Sequence, residues 1–140
     1  MHGLEFDIMI FVRILFSVVL GFAIGLEREM TNKYAGLRTH ILVCLGSCVF
    51  TILSIYAFPM AVDHTNPQAF GDPARIAAQI LTGIGFIGGG TVLRHGSSVY
   101  GLTTAATLWV AAAIGMACGT GMFDVGVIAT IISVMVLVLI

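Results

Sequence analysis

Charge is scarce in this sequence: Asp, Glu, Lys and Arg together make up 9% of 140 residues, against roughly 25% in an ordinary soluble domain. Hydrophobic residues account for 59%. A water-soluble chain of this length could not hide so much apolar surface, so the soluble classes are excluded and a single membrane domain over 1–140 is expected. The six Lys and Arg are scattered and the formal net charge is -1, which leaves no basic face for nucleic acid. Cysteine is also sparse. Cys44 and Cys48 stand one helical turn apart, but no His, Asp or Glu follows at ligand spacing, so they read as small packing residues, as does Cys118. Catalytic patterns are missing: there is no Ser–His–Asp set, no HExxH, no P-loop lysine and no pair of acids at catalytic spacing. Neither an enzyme nor a cofactor is expected. The first residues carry Glu5 and Asp7 and no Lys or Arg, unlike the positive start of a signal peptide, so the first apolar stretch reads as a retained span.

What is present is apolar sequence in five blocks, about 8–26, 39–58, 74–93, 100–118 and 122–140. Each is near the 17–25 residues needed to cross a ~30 Å hydrocarbon core. Barrel-type alternation is absent, leaving helices as the spanning structure. The expectation is an all-α integral membrane bundle of five transmembrane helices. Arg28, Lys33 and Arg38 lie between the first two blocks and Arg94 between the third and fourth, whereas 59–73 carries Asp63 and Asp72 and no Lys or Arg. The positive-inside rule then sets the N-terminus outside and the C-terminus cytoplasmic. The last block ends while still apolar, as expected of either a natural minimal form or a piece of a longer chain.

The polar residues at membrane depth ask for partners or purposes. Arg13, Ser17, Gly21 and Gly25 recur every four residues and share one helix face. Ser17, Gly21 and Gly25 permit close backbone approach. Arg13 either snorkels to headgroups or pairs with Asp7, Asp72 or Asp124. Glu27, Arg28 and Glu29 lie where the first helix leaves the membrane. Glu27 is expected to pair with Arg38, with Gly36 allowing the turn and Thr39 capping the second helix. His40 and His95 read as rim residues. Asp72 and Pro73 form a helix start, after which Arg75 and Gln79 share a face and are expected to cluster with Asp72, Arg75 pairing with Asp72 or Asp124. Gly83, Gly85, Gly88, Gly89 and Gly90 follow, each costing of order 1 kcal/mol of helix propensity. Such a run is either a packing seam or a place where the backbone approaches a ligand. Thr103, Thr104 and Thr107 can bond back to their own helix or across to a neighbour, and the Trp109 N–H is expected to seek an internal acceptor. The faces Ser17–Gly21–Gly25 and Gly85–Gly89 suggest a homodimer.

Taken in order, Gly25-Leu26-Glu27-Arg28-Glu29, Ala35-Gly36-Leu37-Arg38-Thr39-His40, Asp72 with Arg75-Ile76-Ala77-Ala78-Gln79-Ile80, Gly83-Ile84-Gly85-Phe86-Ile87-Gly88-Gly89-Gly90, and Gly101-Leu102-Thr103-Thr104-Ala105-Ala106 with Leu108-Trp109 resemble the signature blocks of the MgtC/SapB family. The resemblance implies a bacterial inner-membrane protein linked to growth in low magnesium and, in pathogens, to survival inside macrophages. It also implies the proton-translocating ATP synthase as a membrane partner, and importance for Glu27, Arg28, Arg38, Asp72, Arg75, Gln79 and the glycine run. Several members carry a cytoplasmic C-terminal domain like ligand-binding ACT domains, which this sequence does not contain. Two functions follow as expectations: a small regulatory protein docking on a larger membrane complex, or a transport module for magnesium or another small ion. The acids sit near the rims and Arg75 would repel Mg²⁺, which needs oxygen ligands, so the regulatory reading leads.

Overall fold

The computed structural model describes residues 3–57, 74–95 and 98–140. Helix α1 runs over Leu4–Met30, with Glu5 and Asp7 in its first turn and Arg28 in its last, the order that complements the helix dipole. It stops at Asn32, which takes a left-handed φ of 54°. The Asn32 N–H donates to the Glu29 carbonyl at 3.2 Å and the Lys33 N–H to the Arg28 carbonyl at 3.1 Å. This pair of bonds satisfies carbonyls that a helix end otherwise orphans. Helix α2, Leu37–Ile52, starts four residues later and continues as a wider π-helical turn over Leu53–Ala57. Its N-terminus is capped by the Glu29 carboxylate, which accepts the Leu37 N–H at 2.9 Å. Thr39 therefore lies inside the first turn and is not the cap that its position suggested. The Glu29 carboxylate occupies the space where a Cβ on Gly36 would stand.

α1 and α2 are antiparallel and touch through glycine. A Cβ at Gly21 would come within 2.9 Å of Cys44 Cβ, and one at Gly25 within 2.9 Å of Leu37 Cα. Helix α3 spans Ala74–Gly90, and a hairpin follows, β1 Leu93–His95 pairing antiparallel with β2 Ser98–Tyr100. Helix α4, Leu102–Thr120, begins after Gly101, whose φ is 91° and whose hydrogen faces the Thr91 carbonyl. It is the central helix: Thr104, Thr107, Leu108, Ala111, Ile114, Gly115 and Cys118 are all buried. The second seam, between α4 and α2, is again glycine-made. A Cβ at Gly115 would run into the Cys44 carbonyl, and one at Gly119 would lie 2.7 Å from Thr51 Cβ. Gly121, at φ 84°, turns the chain into α5, Phe123–Leu139, where Gly126 packs on Leu20 and Cys118. The main core joins Leu20, Ile24, Cys44, Cys48, Ile52, Ile114 and Cys118.

Among the described residues the bundle has five α-helices, but the five-span expectation does not hold. Three are long and apolar enough to cross a membrane among the described residues: Leu4–Met30, Leu37–Ala57 and Leu102–Thr120. α3 and α5 have 17 residues each, roughly 25 Å at 1.5 Å per residue against a ~30 Å hydrocarbon core. α3 ends at Gly90, where glycine after glycine weakens the helix, and 91–100 goes into the hairpin instead of lengthening either neighbour. The outside N-terminus and cytoplasmic C-terminus were drawn from loop charges threaded through five crossings, and three spans do not determine them. The all-α class holds, with the short β1–β2 hairpin added to the bundle.

Candidate functional site

The polar residues gather at the end of the bundle where α1 ends, α2 begins and α4 begins. Arg28 is 3% exposed. Its Nη2 donates to Thr104 Oγ1 at 2.8 Å, and its Nη1 lies 3.7 Å from the Glu27 carboxylate. A cation so enclosed is tolerable only with a counter-charge and hydrogen bonds, and Glu27 and Thr104 supply them. Among the described residues, Arg28 Nε and Glu27 Oε2 are buried without a hydrogen-bond partner. His40 is fully buried in the adjacent layer, not a rim residue. Its Nδ1 lies 2.7 Å from the Gly36 carbonyl and its Nε2 2.8 Å from Thr107 Oγ1. The Gly36 oxygen can only accept, so Nδ1 carries a proton. The Thr107 hydroxyl has one proton and two neighbours, His40 Nε2 and the Thr104 carbonyl at 2.8 Å. With a neutral ring the hydroxyl donates to Nε2; with an imidazolium it accepts from Nε2 and donates to the carbonyl. A continuous polar chain thus links Glu27 and Arg28 on α1, Thr104 and Thr107 on α4, and His40 and Gly36 at the head of α2.

The opposite end of the same three-helix seam holds the second arginine. Arg13 Nη1 donates to the Gly119 carbonyl at 2.9 Å, one of the carbonyls left free where α4 ends. Its guanidinium lies 5.5 Å from the Tyr56 ring centroid, within cation–π range, and against Gly121. Arg13 therefore neither snorkels nor pairs with Asp7 or Asp124; it caps a helix C-terminus, where positive charge is favoured.

Other residues singled out in the sequence are placed elsewhere. Arg38 is exposed and makes no ion pair among the described residues; Glu27 faces Arg28 instead. Asp72 lies outside the described residues. Arg75 and Gln79 are exposed on α3. Of the glycine run, Gly88 alone packs closely, its Cβ position 3.6 Å from Ala105, whereas Gly83, Gly85, Gly89 and Gly90 would each place a Cβ in open space. Ser17, Gly21 and Gly25 are buried inside the chain, so that face is occupied by α2. Thr103 is exposed and Thr104 buried. Trp109 is 55% exposed and turns outward. Between α2 and α3 a cleft of about 790 Å³ opens, walled by Phe50, Leu53, Ile80, Ile84 and Ile87, with Thr39, Ser47 and Gln79 as its polar lining. Among the described residues no group of three or more His, Cys, Asp or Glu is close enough to hold a metal ion.

Sequence reasoning missed His40, Thr107, Glu29 and the Arg13–Gly119 contact as parts of one system. A signal existed for the first two: His40 follows the charged turn by one residue, and Thr107 lies one turn after Thr103 and Thr104.

Long apolar helices, glycine seams and buried arginines bonded across helices define a multi-pass helical membrane protein. The chain belongs to the MgtC family, whose sequence pattern matches residues 14–140, and it is thereby a multi-pass protein of the bacterial inner membrane. It is 45% identical over 128 residues to YhiD of Escherichia coli (strain K12), provisionally named a magnesium transporter, covering 90% of this chain and 58% of that one. It is 46% identical over 121 residues to protein MgtC of Salmonella typhimurium (strain LT2), covering 86% and 48% respectively. An uncharacterised protein of Synechocystis is 44% identical over 127 residues, 91% of this chain and 49% of that one. The chain spans about half the length of the curated relatives it matches. No solved structure matches it.

Proposed function

We propose that the chain is a regulatory membrane module tied to magnesium limitation, acting by docking on a larger membrane complex instead of carrying the ion itself. The observation behind this reading is that the seam among α1, α2 and α4 has an arginine bonded across it at each end, Arg28 to Thr104 and Arg13 to Gly119. Glycine contacts close the seam between them. A magnesium path needs six oxygens in near-octahedral array, several of them from water. Two fixed cations along the same axis repel Mg²⁺, and among the acids of the described residues only Glu27 stands beside either of them.

Docking has a candidate surface in the outward strip of α3. Gly85 and Gly89 have open space around them and Phe86 is 87% exposed. Small residues beside an aromatic let a partner helix approach closely in lipid. The proton-translocating ATP synthase, implied by the family resemblance, is one complex of the required kind; a second copy of this chain is another. The transport reading has the provisional name of YhiD in its favour.

Two measurements decide. In the docking reading Gly85→Leu and Gly89→Leu, which fill open space, leave the protein folded and abolish co-purification of its membrane partner. In the same reading, purified protein in liposomes passes no magnesium. Magnesium flux that is lost on Glu27→Gln would overturn it.

A further inference from the structure

We infer that the cleft between α2 and α3 is a binding site for an anionic phospholipid, with one acyl chain lying along the cleft and the headgroup phosphate held at Arg75. This goes beyond the docking reading and does not depend on it, since the cleft wall at Ile76, Ile80, Gly83 and Ile87 faces away from Gly85 and Gly89. The cleft encloses about 790 Å³, inside the range of about 300–1,000 Å³ typical of ligand sites, and has their composition of apolar walls with few polar groups. Its α2 wall, from Thr39 to Leu53, belongs to a helix of membrane-crossing length. That wall is roughly 20 Å long at 1.5 Å per residue. The elongated shape suits a hydrocarbon chain, and the wall's depth in the bilayer puts lipid at its opening.

Glycine on both walls leaves the cleft roomy. Gly46 on α2 and Gly83 on α3 line it, and a Cβ at either would meet no atom within 4 Å. Charge gives the direction. α3 runs antiparallel to α4, as Gly88 against Ala105 and Ala77 across a small cavity from Met116 show, and α2 runs parallel to α4, as His40 on Thr107 and Thr51 against Gly119 show. Ile76 and Leu53 thus mark one end of the cleft and Thr39 and Ile87 the other. Arg75, exposed and without an ion pair among the described residues, immediately precedes Ile76. Gln79, one turn on, reaches the cleft lining and offers an amide to the ester region beneath a phosphate. Arg38 stands beside Thr39 at the far end with no second polar side chain on α3 to match.

The test is native mass spectrometry of the full chain exchanged into mild detergent with equimolar phosphatidylglycerol and phosphatidylcholine. One retained lipid per chain is expected, with phosphatidylglycerol preferred about fivefold, the size of one arginine–anionic-lipid contact. Gly46→Leu and Gly83→Leu, on opposite walls, should each abolish retention while circular dichroism shows unchanged helix. Arg75→Gln should keep retention and erase the headgroup preference, and Arg38→Gln should change neither. Absence of retained lipid would overturn the inference, as would retention unaffected by both leucines. So would leucine variants that turn a dimer into a monomer with lipid still bound, because the cleft would then belong to a second copy.

Discussion

Glycine to alanine substitution at two positions of this bundle should move stability in opposite directions. At Gly115, in the middle of α4, a methyl group would be driven into the Cys44 carbonyl and to 2.8 Å from Ser47 Cβ. A backbone oxygen cannot rotate away, so α2 as a whole must move off α4. Overpacking of this kind costs about 1–3 kcal/mol, against a gain of about 1 kcal/mol in helix propensity. The displacement is not local, since Cys44 also faces Gly21 of α1, so moving α2 disturbs both seams and the cost is expected near the top of that range. At Gly85 the same methyl group meets nothing within 4 Å, and the propensity gain stands alone. Because the propensity gain is common to both, the two variants should differ by the overpacking cost itself, about 3 kcal/mol, with Gly115→Ala below the parent and Gly85→Ala level with or above it. Reversible unfolding in mixed micelles of increasing dodecyl sulfate, followed by circular dichroism, measures both. Equal stability of Gly115→Ala and the parent would refute the placement of the α2–α4 seam.

Three further outcomes are expected. Glu29→Ala removes the α2 cap at Leu37 and should cost about 1 kcal/mol by the same micelle titration, while Glu27→Ala should not alter amide-exchange protection at Leu37. Arg28→Met strands the Glu27 carboxylate in a buried site and should cost about 3–5 kcal/mol, with Glu27→Gln/Arg28→Met recovering part of it. Thr107→Val deprives His40 Nε2 of its partner and should cost about 1–3 kcal/mol; adding His40→Phe should then cost less than that substitution does alone, a coupling read from the double-mutant cycle.

The helices were legible because their apolar blocks are long and bounded by charge, glycine or proline; membrane class and family followed from that pattern and from ordered short motifs. Span count was not, because apolar content alone does not tell a helix of 17 residues from one of 19 when the link between them is apolar as well. The 91–100 stretch is such a link: Val92, Leu93, Val99 and Tyr100 extend hydropathy across a hairpin. Glu27, Arg28 and Thr104 were noticed singly. Their meeting depends on the offset between α1 and α4, and Gly21, Gly25, Gly115 and Gly119 let both helices close on α2 without setting that offset. Glycine spacing signals that helices pack closely without saying which partner each face will meet. Ser17–Gly21–Gly25 illustrates this: its small-residue pattern fits a second chain as well as α2, and only the short 31–36 connection decides for α2.

Arg13 and Arg28 explain how such a thin-walled bundle keeps its register. They stand fifteen positions apart on α1, and their acceptors, Gly119 and Thr104, stand fifteen apart on α4. A slip of α1 by one turn, ~5.4 Å, would break both bonds together, leaving the buried Arg28 with Glu27 alone and the half-buried Arg13 without its carbonyl. Methyl-free seams offer little steric resistance to sliding, since glycine presents no knob to lock into a hole. The penalty for unpaired charge at depth supplies the resistance instead, and it acts only at the register observed. Losing one arginine should then loosen the sliding coordinate as well as lower stability. Cross-linking between cysteines placed at Phe22 and Ile41 in a Cys-free background would report it. Arg13→Met should broaden the set of α2 positions, one turn either side of Ile41, that cross-link to position 22, whereas the parent should link at one. An unbroadened pattern in Arg13→Met would mean that the glycine seams alone hold the register.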